Sequence, residues 1–201
     1  MKKSKPMEIC VYNEKRATTP NCYSGKTFEG TLAYHPQVFS DLSPMTDYYS
    51  AEEYPFTGSE HKAKFRSVSM LANSPLMRDL CEHNYVEINE VDAKNLGIRD
   101  GDTVRCITPA GDVTEGEAMV RAGQVQGAFA VSFGYGHLAY GAQDIEIDGE
   151  LVPGNKAIAA GTRIVTMLDP IASKDGAMAI IADNDASSPG RCGGMFKIEK
   201  A

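Results

Sequence analysis

Between residues 85 and 136 the spacing of apolar positions changes repeatedly, and each change predicts an element. Asn89 precedes a run of about two helical turns with Asp92 in its first turn and Gly97 just past Leu96, the pattern of a capped helix with a left-handed exit. Asp100-Gly101 then turns the chain into residues 103–107, where Val104 and Cys106 alternate with Thr103 and Arg105, and Pro109-Ala110-Gly111 turns it back. A further apolar strand, residues 128–133, runs into the turn Phe133-Gly134-Tyr135-Gly136-His137. The prediction is a compact β-α-β-β unit that leads to a glycine-rich turn.

Outside this unit the pattern is sparser. Ser74 and Pro75 carry helix-start chemistry, and Leu76 and Leu80 lie on one face of the helix they open. Residues 145–152 have hairpin character with Asp148-Gly149 as the turn. Gly161-Thr162-Arg163 leads into a strand at residues 164–168, and residues 182–194, with Pro189 and three glycines, read as a loop before a last strand at 195–199. Residues 1–60, rich in Pro, Tyr, Thr, Ser and Asp, keep neither period for long and read as an extended arm ahead of a domain at 61–201. So long a structureless stretch is unusual in a compact domain, so the arm is expected to pack against another part of a longer polypeptide.

Composition mainly excludes. With 201 residues, 42% hydrophobic and 23% charged, the chain can bury one sizeable core, and no apolar run reaches the ~20 residues of a membrane span. A formal net charge of −7 argues against binding nucleic acid by phosphate neutralisation. Lys62, Lys64 and Arg66 form a close basic cluster whose ordinary reading is a solvated strand face. Cys10, Cys22, Cys81, Cys106 and Cys192 make no C-x-x-C pair, and the histidines lack i, i+4 spacing, so no metal site is expected. The opening MKKSK lacks the apolar region of a secretory signal.

The stretch VEINEVDAKNLGIRDGDTVRCITPAGDV resembles the opening of the C-terminal, molybdopterin-dinucleotide-binding domain of molybdenum and tungsten oxidoreductases, the dimethyl sulfoxide reductase superfamily. SVSMLANSPLMRDL, SFGYGH, MLDPIA and FKIEKA look like further pieces of that domain in the same order, and VYNEKRATTPNCYSGKTFEG is similar to the lead-in of tetrathionate reductase catalytic subunits. The resemblance covers nearly the whole chain. It implies a mostly-β, six-stranded double-psi barrel with short helices, and a fragment or separately encoded piece of a catalytic subunit that is inactive alone. It also implies a bis(molybdopterin guanine dinucleotide) cofactor whose molybdenum or tungsten is held from another domain. The implied partners are the rest of the catalytic polypeptide, an iron–sulfur electron-transfer subunit, and also a membrane anchor subunit, on the extracytoplasmic face of the membrane.

Two segments are candidates for ligand contact. The helix-start N–H groups at Ser74, with Ser67, Ser69 and Asn73 approaching and Arg78 one turn in, suit an anionic or heteroatom-rich ligand, although Ser74 could serve its own helix alone. In the resembled family this segment lies against the pterin dinucleotide. At residues 133–137 the glycine pair permits close backbone approach. The resemblance makes Phe133, Gly134, Tyr135, Gly136 and His137 pterin contacts, with His137 and the backbone amides as donors and Tyr135 as a flat surface. Asn155 and Arg163 complete the set; relatives commonly carry asparagine near Arg163, though an arginine also suits a phosphate or pterin oxygen.

Rival readings exist. Gly134-x-Gly136-x-x-Ala139 formally matches a dinucleotide fingerprint, yet glycine recurs at once and no β-α-β repeat of the required length comes after it. His137 has no G-x-S-x-G partner to serve as general base, so no catalytic residue is assigned. The remaining alternatives are a free-standing adaptor barrel that binds protein, and a barrel subunit of a formylmethanofuran dehydrogenase-type complex.

Overall fold

The structure, a computed structural model, describes residues 11–20, 25, 27, 29–31, 44–109, 111–138, 141–162 and 194–201, together with the backbone of 171–172, 178–179, 182–183 and 188–189. Along the chain run α1 (Glu14–Thr18), a 3-10 turn (Met45–Asp47), β1 (Phe56–Lys62), α2 (Pro75–Leu80), β2 (Val86–Asn89), α3 (Glu90–Asn95), β3 (Thr103–Ile107), β4 (Val113–Arg121) and β5 (Ala128–Phe133). Then come β6 (Ile145–Ile147), β7 (Glu150–Val152), α4 (Lys156–Ala159), the two-residue strands β8 (Ile171–Ala172), β9 (Met178–Ala179), β10 (Ala182–Asp183) and β11 (Ser188–Pro189), and β12 (Met195–Lys200).

Six strands close on themselves in the order β1-β12-β3-β4-β2-β5. β1 pairs parallel with β5, from Thr57 opposite Ala128 to Lys62 opposite Phe133, and β2 pairs parallel with β4, from Val86 opposite Ala118 to Asn89 opposite Arg121. The other neighbours are antiparallel. Parallel partners cannot be joined by a tight turn, so the chain crosses the barrel between them, as the six-stranded double-psi β-barrel requires.

Alternation explains the interior. Val86, Ile88, Val104, Cys106, Phe129, Val131, Phe196 and Ile198 point inward and are buried, with Ala93 and Ile98 from the α3 region packed on them. Phe129 and Phe196 meet edge to face with centroids 5.0 Å apart; full burial of each such side chain contributes roughly 1.5–3 kcal/mol. Burial pushes the Cys106 thiol up to about 12, so it stays protonated and acts as a small hydrophobe.

Local chemistry follows the sequence closely near the barrel. Asn89 caps α3 by accepting a hydrogen bond from Val91 N at 2.8 Å. Asp92 reaches beyond its own helix, its carboxylate accepting from Gly127 N at 2.7 Å and so tying α3 to the approach of β5. The β6–β7 hairpin turns at Asp148 and Gly149, with φ of 51° and 84°, both left-handed as a two-residue type I′ turn demands.

Elsewhere the structure differs from the sequence reading. β1 begins at Phe56, so the barrel reaches back across residue 60, because Phe56 is a buried core position. The arm carries α1, capped by Asn13, and its later part packs home: Met45 is buried against Met195 of β12, with Tyr48, Tyr49 and Tyr54 around them. Arg66 does not share the solvated face of Lys62 and Lys64; it is 5% exposed. The stretch read as a loop at 182–194 holds the β10–β11 pair. The strand expected at 164–168 lies outside the described residues.

Candidate functional site

The site grows out of strand direction. Because β1 and β5 are parallel, both leave the barrel at the same end, β1 into residues 63–74 and β5 into the turn at 134–137. β2 runs antiparallel to β5, Val86 opposite Val131, so the segment that enters β2, residues 81–85, arrives there as well. Segments far apart in sequence therefore converge on one end of the barrel.

At Gly134 the two exiting segments touch. Its φ is +94°, and a Cβ there would stand 2.6 Å from Val68 O, so only glycine lets the turn lie this close. Val68 is itself left-handed at φ 54°, costly for a β-branched residue. Beside this contact lies a cavity of about 270 Å³ lined by Ser69, Met70, Ala72, Asn73, His137 and Ile158. Ala72, Ala142 and Ile158 form a small apolar cluster there, and the polar lining comes from Ser69, Asn73 and His137. An apolar base with a few convergent polar groups is the composition of a small-molecule site.

Buried polar side chains brace the turn. Asn84, 2% exposed, donates from Nδ2 to Ser132 O at 2.6 Å and Thr162 O at 2.8 Å, and its Oδ1 accepts from Thr162 N at 2.6 Å. Thr162 Oγ1 donates to Glu115 O at 2.7 Å, and Gly136 N donates to Ala160 O at 3.0 Å. Arg66 donates from Nη1 to Gly134 O at 3.3 Å and from Nη2 to Cys81 O at 3.4 Å and Glu82 O at 3.3 Å, with its guanidinium 3.8 Å from the Tyr135 ring centroid. Burial, followed by the neighbouring Cys81 thiol, pushes the Tyr135 hydroxyl up to about 12, against the opposing pull of Arg66.

The candidate residues thus divide. Ser69, Asn73 and His137 line one cavity, and Gly134 makes the close approach beside it. Ser67 is exposed on the same approach. Ser74 stands at the N-cap of α2 without a side-chain capping bond, and Arg78 donates back to Ala72 O at 3.4 Å, which steadies the lining loop. Phe133 packs against the barrel core and Gly136 is buried. Tyr135 offers no open flat surface: it is 3% exposed and Arg66 covers its ring. Asn155 caps α4, accepting from Ala157 N at 3.1 Å, and so places Ile158 rather than reaching the cavity as a lining residue. Arg163 lies outside the described residues. Sequence reasoning misses Asn84, Thr162 and the buried role of Arg66, because their partners are backbone groups far away along the chain.

Known proteins share both the sequence pattern and the fold. A tetrathionate reductase subunit from Salmonella typhimurium is 29% identical over 160 residues, covering 80% of this chain and 15% of that protein. A selenate reductase subunit from Mesobacillus selenatarsenatis is 32% identical over 174 residues, covering 80% of this chain and 16% of that protein. The chain therefore spans about one sixth of the length of these relatives. Acetylene hydratase from Pelobacter acetylenicus has the same fold, with a TM-score of 0.58 over 86% of this chain and 22% of that one at 16% identity. Residues 57–180 match the molydopterin dinucleotide binding domain, and the chain belongs to that family.

Proposed function

We propose that this chain is the C-terminal cofactor-binding domain of the catalytic subunit of a molybdenum or tungsten reductase of the tetrathionate reductase kind, and that the cavity beside Gly134 receives part of a molybdopterin guanine dinucleotide. The supporting observation is convergence: two segments that leave the parallel β1–β5 pair bring Ser69, Asn73 and His137 to one cavity of about 270 Å³. A heteroatom-rich ring system fits that lining. Ser69, Asn73 and His137 would offer it hydroxyl, amide and imidazole groups, Ala72 and Ile158 would offer apolar contact, and Gly134 would keep the neighbouring backbone within reach. Family membership favours this reading over a free-standing adaptor barrel.

When bound, the cofactor supplies oxygen- or sulfur-atom transfer coupled to two electrons. The residues of this chain orient it and exclude water from one side. The remaining partners in this reading are the rest of the catalytic polypeptide, an iron–sulfur electron-transfer subunit, and also a membrane anchor on the extracytoplasmic face. The names of the relatives, each one subunit of a reductase, support a multi-subunit assembly. Among the described residues no helix is long and apolar enough to cross a membrane. The relatives' names span tetrathionate and selenate, so the choice of oxidant is assigned to domains outside the barrel.

The test is cofactor content. In the full-length catalytic subunit, Asn73→Ala combined with His137→Ala is expected to lower pterin released per polypeptide several-fold, with the far-UV circular dichroism unchanged. Full pterin occupancy in the double variant would contradict the assignment of this cavity.

A further inference from the structure

Arg66 has no place in the cavity lining, yet it is more deeply buried than the polar side chains that line it. Among the described residues no carboxylate pairs with it; its hydrogen bonds go to the carbonyls of Gly134, Cys81 and Glu82, and its plane lies on Tyr135. Among the described residues its buried Nε has no hydrogen-bond partner. A buried cation held this way is a poor source of stability, since desolvation opposes it and carbonyl dipoles only partly replace water. Its geometry, in contrast, is specific. The planar fork joins the turn after β5 to the segment that enters β2, 68 and 15 residues away in sequence, and a lysine could not reproduce both the fork and the stacking.

We propose that Arg66 is a positioning residue for ligand binding: with Tyr135 as its platform, it clamps the turn at 134–137 so that His137 faces Ser69 and Asn73 across the cavity. The proposal rests on the cofactor reading for the identity of the ligand, but the clamp stands on this chain alone. The charge also has a consequence for recognition. Held beneath the turn with no counter-carboxylate among the described residues, the guanidinium favours an anionic or electron-rich ligand at the neighbouring backbone.

Amide hydrogen exchange on the full 201-residue chain separates positioning from general stability. In Arg66→Gln and Arg66→Lys, exchange at residues 134–137 is expected to quicken by about tenfold or more, while the barrel amides of Val131 and Ile198 keep their protection. Tyr135→Leu, which leaves the guanidinium but removes its platform, is expected to do the same to a smaller degree. Unchanged exchange at 134–137, rescue by lysine, or equal loss of protection in the barrel would each overturn the clamp. A second measurement addresses the ligand: pterin retained by the full-length subunit through gel filtration should fall several-fold in Arg66→Lys. A looser turn with full retention would overturn the role of Arg66 in ligand binding, while pterin loss in the Asn73→Ala, His137→Ala variant would still uphold the cavity itself.

Discussion

The barrel and the end of the barrel are built on different physics. In the barrel, strands β2, β3, β5 and β12 supply buried side chains at alternate positions, and each contact is backed by several others of the same kind. At the end of β1 and β5, order depends on single polar side chains such as Asn84 and Arg66, each bonded to backbone groups on separate segments. The first arrangement is redundant and tolerant of small changes in shape. The second is specific and has no reserve, which suits the ligand-binding surface proposed for that end of the barrel.

Breaking the barrel should have the largest effect. Phe129→Ala removes half of the edge-to-face pair with Phe196 and leaves a cavity, so a loss of about 3–5 kcal/mol is expected in denaturant unfolding, enough to abolish folding in a marginal domain. At the barrel end, Asn84→Ala strands the Thr162 N–H and the carbonyls of Ser132 and Thr162, and about 1–3 kcal/mol is expected to be lost. Because those bonds brace the segments beside the proposed site, pterin content is expected to fall further than the stability loss alone accounts for. A loss of stability with full pterin occupancy would show that the two regions are not functionally distinct. Val68→Gly should act in the opposite direction: releasing a β-branched residue from φ 54° is expected to stabilise the chain by up to about 1 kcal/mol, measured by thermal unfolding.

The smallest effect concerns pH. A hydrogen bond from Lys200, then one from Arg99 N, holds the Asp102 carboxyl below its ordinary range. A depressed folded-state pKa adds stability that is present above the unfolded-state value and disappears as pH falls through the folded one. The acid limb of a melting-temperature profile should therefore be shallower in Asp102→Asn, with the two proteins converging at low pH. Parallel profiles would show that Asp102 adds no pH-dependent stability. Asp144, also lowered by a side-chain bond from Lys156, lies outside the barrel, so Asp144→Asn serves as an independent control.

Legibility in the sequence divides along the same line. Alternation at Val104 and Cys106, the Asn89 cap and the Asp148-Gly149 turn are local signals, and the structure bears out each of them. The resemblance supplies the closed six-stranded barrel, which alternation cannot, and the structure supplies the strand order, because parallel partners are distant in sequence. The site is legible only in part. Ser69, Asn73 and His137 stand out as polar residues beside turn chemistry, whereas Tyr135, expected to face a ligand, instead lies under Arg66. Nothing local to Arg66 distinguishes it from Lys62 and Lys64; only the fold places three carbonyls and an aromatic ring around it.

The most direct measurement is the position of the pterin in an experimental structure of the cofactor-loaded full-length subunit. Pterin or pyrophosphate atoms are expected within hydrogen-bond distance of at least one of Ser69, Asn73 and His137, with the backbone at Gly134 alongside. A cofactor seated away from that end of the barrel, against the Glu87 and Arg121 surface for example, would contradict the assignment.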